Sequence, residues 1–128
     1  MLQLAVLATV LTAAGCGSSS SKIDDVDQAI ASWAQTLRTA GQLRLEGHVP
    51  AEYLRQTIEA ATDSLKKLEK QLQDVKDSAD RKNALRARIL ALSDAAEQIK
   101  LALEVDDNQQ IKQRLDTLDP SSRRPEAP

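Results

Sequence analysis

The chain has no Phe and only one residue each of Cys, His, Trp, Tyr and Met among its 128 residues. A single Cys excludes a disulfide framework, and one Cys with one His cannot supply the four ligands of a structural zinc site. Glycine is scarce, with four residues, and neither GxGxxG nor GxxxxGK followed by Ser or Thr occurs, so no glycine-rich loop is available to cradle a phosphate. No cofactor is implied. Charge of one sign is also missing: 17 basic and 19 acidic residues give a net charge of −2, which creates no global field to draw in nucleic acid or an acidic substrate. The uncharged run at the start, residues 1–15, falls short of the ~20 residues a spanning helix needs. A chain of this length forms at most one small domain.

What is present is unevenly distributed. Twelve of the first 16 residues are apolar, so the remaining body is leaner than the overall 41% suggests. The run MLQLAVLATVLTAAG has the length of a secretory hydrophobic segment and ends in small residues directly before Cys16. The stretch Leu11-Thr12-Ala13-Ala14-Gly15-Cys16 resembles the lipobox of bacterial lipoproteins. In that family the Cys is lipidated and becomes the first residue of the mature chain. The chemistry suits the residue types: a thiol forms the thioether to a diacylglyceryl group, and small side chains such as Ala14 and Gly15 border the cut. Ala13 stands where the family most often has Leu, and the leader carries no Lys or Arg. The residues also admit an ordinary secretory leader, or a core helix with a free Cys. The run Gly17-Ser18-Ser19-Ser20-Ser21 favours the lipobox, because a core helix needs no such tether.

The resemblance implies a membrane anchor made of fatty chains, palmitate among them, on Cys16. One myristoyl chain binds a bilayer marginally at ~0.8 kcal/mol per buried methylene, so two or three chains on one residue hold firmly. Gly17 rather than Asp after the Cys implies, in a Gram-negative host, the outer membrane facing the periplasm. The expected layout is a signal peptide at 1–15, lipidated Cys and flexible tether at 16–21, a helical bundle at 22–119 and a disordered tail at 120–128.

The body reads as helices. Ile23, Val26, Ile30, Trp33, Leu37 and Ala40 recur three and four apart, which predicts a first helix to about Glu46. Ser21 with Asp24 suits its N-cap, the acids Asp24, Asp25 and Asp27 suit the dipole, and Gly41 is expected to weaken or bend it. Gly47 then supplies a left-handed C′ position, Val49 can pack back behind it, and Pro50 opens the next helix. Leu54, Ile58, Ala61, Leu65, Leu68, Leu72 and Val75 form a heptad seam spaced 4-3-4-3-4-3. After Val75 the pattern lapses and restarts one residue early at Leu85. That predicts a turn around Asp77 to Asp80 with Asp77 or Ser78 as the next N-cap, the alternative being one long helix with a register shift.

The third seam is Leu85, Ile89, Leu92, Ala96, Ile99 and Leu103, with a second stripe of Leu90, Ala91 and Leu101 toward the opposite side. A short helix from Asn108 to Leu118, capped by Asp106 or Asp107 and using Ile111, Leu115 and Leu118, is the expected cover for that stripe. Helical seams on consecutive segments with short links describe an all-α fold, an antiparallel three- to four-helix bundle with coiled-coil-like seams.

Few residues here suit catalysis or metal binding. His48 lies in a Gly-His-Val-Pro link with no partner near it in sequence, and Ser18 to Ser21 read as spacer without a nucleophile elbow or SxxK pattern. The acids at Asp24, Asp25 and Asp27 and at Asp106 and Asp107 lack the spacing of a calcium loop and sit where helix starts attract acids, so no metal site is assigned. Lys66, Lys67, Lys70, Arg81, Lys82, Arg86 and Arg88 concentrate positive charge, interspersed with Glu69, Asp74, Asp77 and Asp80; a solvated face is favoured over a surface for anionic lipid or cell-wall polymer. Trp33 is placed in the core and Tyr53 beside the second seam. The resulting expectation is a non-catalytic, lipid-anchored envelope protein acting by protein contact or self-association, with Leu90 and Leu101 as contact residues. The alternative is a carrier of small apolar ligands or lipid in the periplasm, with a cavity lined by Trp33, Leu65 and Ile89. An enzyme ranks last.

Overall fold

A computed structural model describes residues 19–118, with side chains from residue 22 onward. The expected signal peptide at 1–15, Cys16, Gly17, Ser18, Asp119 and the tail expected at 120–128 lie outside the described residues. Among the described residues four helices succeed one another: α1 (Ser19–Leu45), α2 (Ala51–Asp74), α3 (Ala79–Glu104) and α4 (Asn108–Thr117). Each reversal is short, so neighbours run antiparallel. α2 packs along both α1 and α3, whereas α4 lies against α3 and α1 and does not touch α2. The architecture is thus a three-helix bundle with a short fourth helix laid over one of its grooves.

The seams form the core. Every residue of the second seam, Leu54 to Val75, is buried, as is every residue of the third, Leu85 to Leu103. In α1 the residues Ile23, Val26, Ile30, Leu37 and Ala40 are buried, while Trp33 is partly buried and packs against the cluster. Burying a Leu or Ile fully contributes ~1.5–3 kcal/mol. The seams therefore outweigh the weak intrinsic stability of helices of this length. Among the described residues no polar or charged side chain is buried.

The reversals show how local chemistry ends each helix. α1 closes in a Schellman arrangement: the Gly47 N–H donates to the Arg44 carbonyl (3.0 Å) and the His48 N–H to the Leu43 carbonyl (2.9 Å). Gly47 takes φ +77°, which costs a residue without Cβ little. Pro50, extended at ψ 161°, occupies the N-cap of α2 rather than its first turn, and gives no side-chain cap. Between α2 and α3 the chain turns at 75–78, and the Ser78 hydroxyl accepts from the Arg81 N–H at 3.2 Å, so the alternative of one long helix is excluded.

The α3–α4 reversal repeats the first with a different residue. The Asp106 N–H donates to Leu103 (3.2 Å) and the Asp107 N–H to Ala102 (2.8 Å), with Asp106 in the left-handed region at φ 55°. Asp107 also caps α4, its carboxylate accepting from the Gln110 N–H at 3.1 Å.

Three expectations need correction. First, α1 begins at Ser19, four residues ahead of Ile23. Ser21 is therefore inside the helix and does not cap it, and the tether expected over 16–21 loses its last three residues; Ser costs only a fraction of a kcal/mol within a helix. Second, α4 does not cover the stripe of Leu90 and Leu101, which remain 56% and 48% exposed. Ile111, Leu115 and Leu118 are buried instead, on the side where α4 meets α1 and α3. Third, Gly41 is a docking point rather than a weak spot: a Cβ there would lie 2.6 Å from both Cδ atoms of Leu115. Glycine lets α4 approach α1 closely enough for Leu115 to seat.

Candidate functional site

The residues expected to line a carrier cavity fill the core instead. Leu65 and Ile89 are buried, and Trp33 packs against the same cluster. With an interior this apolar, the described bundle presents its chemistry at the surface. His48 stands in the α1–α2 link, with Nε2 3.5 Å from a Glu46 carboxylate oxygen and its side chain largely exposed. Among the described residues, no group of three or more His, Cys, Asp or Glu is placed to hold a metal ion. No described helix is long and apolar enough to cross a membrane.

The acids at the start of α1 have partners that sequence spacing did not suggest. Because α1 starts at Ser19, Asp24 and Asp27 lie beyond its first turn, where the dipole acts weakly. Asp24 pairs with Arg81 of α3 at 3.0 Å, and Arg81 also reaches Asp77 at 3.5 Å. Asp27 pairs with Arg88. These two bridges tie α1 to α3 near the end of the bundle from which Cys16 is reached. Being exposed, each contributes less than ~1 kcal/mol.

The basic concentration on α2 and α3 is consequently divided. Arg81 and Arg88 turn toward α1, whereas Lys82 belongs to the surface shared by α2 and α3. Lys82 marks the lower part of that surface, its Nζ donating to the Gln73 carbonyl of α2 at 3.2 Å. The upper part is a groove of about 240 Å³ lined by Ile58, Glu59, Thr62 and Asp63 of α2 and by Glu97 and Lys100 of α3.

Leu90 and Leu101 stand on the same shared surface. They are 11 residues apart, three helical turns and roughly 16 Å, so one lies above the other on one stripe of α3. Asp94 and Glu97 lie between them in sequence, both exposed. The structure therefore gives the two expected contact residues one face, without joining them into a continuous apolar patch. Single exposed leucines are common on soluble domains; here their setting differs, Leu90 standing beside Arg86 and Leu101 beside Glu97 and Glu104. Tyr53, 46% exposed, and Val105, 73% exposed, add apolar surface at the end of the bundle away from Ser19.

The start of α1 bounds the distance between Cys16 and the bundle. Only Gly17 and Ser18 separate that Cys from the first helical residue, Ser19. Three residue steps span at most ~10 Å. No family model matches this chain, and no curated protein and no solved structure is significantly similar to it.

Proposed function

We propose that this chain is a lipid-anchored, non-catalytic helical protein of the bacterial cell envelope that acts through protein contact. The observation that carries the reading is the lipobox-like run ending at Cys16 only three residues before Ser19, where α1 starts. A short link to a rigid bundle suits an anchored module held close to its bilayer. Contact is favoured over carriage because Leu65 and Ile89, expected to line a cavity, are fully buried in the core, against which Trp33 packs. In a Gram-negative host the Gly after Cys16 favours the outer membrane, with the bundle in the periplasm.

Fractionation of cells fed labelled palmitate tests the anchor. The native chain is expected to carry label and to sediment with membranes, and Cys16→Ser to lose both properties. A Cys16→Ser chain that stays in the membrane fraction as the native one does, or a native chain without label, would overturn the reading.

A further inference from the structure

α4 covers only part of the groove between α1 and α3. It runs antiparallel to α1, with Leu115 seated at Gly41 and Leu118 lower down beside Ile30, Ala31 and Ala34. At Leu118 the groove stays open among the described residues, as a socket of about 320 Å³ whose remaining walls are Gln35, Arg88 and Leu92. No other α4 residue lines it, so the socket lies just past the end of that helix. Arg88 is the one charged residue in its walls. Below the socket carboxylates are in surplus. Asp27 pairs with Arg88, while Asp24 and Asp77 share Arg81, so three acids divide two guanidinium groups.

We propose that residues 119–124, which continue the chain from Leu118, fill this socket and close over the carboxylates below it. The inference is independent of the anchor and of any outside partner. The segment starts at the mouth of the socket and α4 points it toward the Ser19 end, so its local concentration there far exceeds that of any separate molecule. Pro120 stops the helix from continuing and holds Asp119 extended. The chain therefore leaves α4 as a narrow strand, and the apolar Pro120 ring meets walls of matching character at Ala31, Ala34 and Leu92.

The charges then fall in register. An extended proline-rich segment rises ~3.1 Å per residue, which sets Arg123 and Arg124 about 15 to 19 Å beyond Leu118. On α1, Asp27 and Asp24 lie seven and ten residues below Ala34, or about 10 and 15 Å. Both arginines thus arrive where acid is in excess. Asp119 enters beside Arg88, and Glu126 falls beyond the height of Asp24. So placed, the segment would strap down the end of α4, the most weakly held of the helices.

Disulfide trapping in the full chain carrying Cys16→Ser, in a non-ionic detergent, tests the placement. Ser121→Cys with Ala31→Cys should link within one chain roughly tenfold faster than Ser121→Cys with Ser32→Cys. Ser32 is exposed, one residue on and about 100° round the helix, so a segment with no preferred seat reaches the two positions at similar rates. Arg123→Glu with Arg124→Glu should bring the faster rate down to the slower, and added salt should narrow the gap. Equal rates at the two positions, a charge reversal without effect, or links formed between chains rather than within one would overturn the proposal. None of these outcomes bears on the anchor, which palmitate labelling judges separately.

Discussion

α2 and α4 reach the bundle by opposite means. α2 is 24 residues long and presents one apolar residue per turn along its whole length, all buried between α1 and α3. Its attachment is spread over many similar contacts. α4 is 10 residues long and holds on through Ile111 and Leu115, with Leu118 just beyond its end and Leu115 seated where α1 has Gly41. The difference shows that length and periodicity suffice to fix one helix, whereas a short helix depends on a particular point of contact. α2 should open only with the whole molecule, and α4 should open locally at lower cost.

The largest effect is expected from the centre of α2. Leu65→Ala removes a buried side chain from the seam and should cost about 2–5 kcal/mol, measured as a drop in the urea midpoint with all four helices lost together. A loss confined to α2 amides would break the contrast. Gly41→Val places a branched side chain where a Cβ alone already meets Leu115. Overpacking of this kind costs about 1–3 kcal/mol. Hydrogen exchange should quicken at Ile111 and Leu115 while the amides of α2 keep their protection; equal changes in both helices would show that α4 is no separate unit.

The smallest effect concerns the turn that delivers α4. Asp106 holds the left-handed conformation that Gly47 holds in the matching α1–α2 turn, and that conformation costs a residue with a Cβ ~1–2 kcal/mol. Asp106→Gly relieves it but adds freedom to the unfolded chain, so a net gain of about 0.5–1 kcal/mol in unfolding free energy is expected. Unchanged or lower stability would mean that the Asp106 side chain contributes something the turn geometry omits.

The seams and most of the stops are legible in the sequence because they depend on near neighbours. Leu54 to Val75 read as a buried face from spacing alone, and Gly47, Ser78 and Asp107 act where their chemistry indicates. The start of α1 is not legible, because a serine run lowers helix propensity only slightly and so does not forbid helix. The role of Gly41 is hidden since Leu115 lies far along the chain. For the candidate surface, periodicity isolates Leu90 and Leu101 as unsatisfied by their own seam. The cover it assigns them is one that α4, committed elsewhere, does not provide.

The order of amino acids is enough to make the body helical, to set where its apolar stripes lie and to mark where the chain reverses, because helix periodicity and end chemistry act over a few residues. Which outward residues share a surface is decided by the packed molecule alone. The bridges from Asp24 to Arg81 and from Asp27 to Arg88 join residues 57 and 61 positions apart. The groove that brings Glu59 and Asp63 of α2 level with Glu97 and Lys100 of α3 likewise emerges once the register between two antiparallel helices is set. That register comes from how side chains interlock across the core, a property of the assembled helices that no single helix carries.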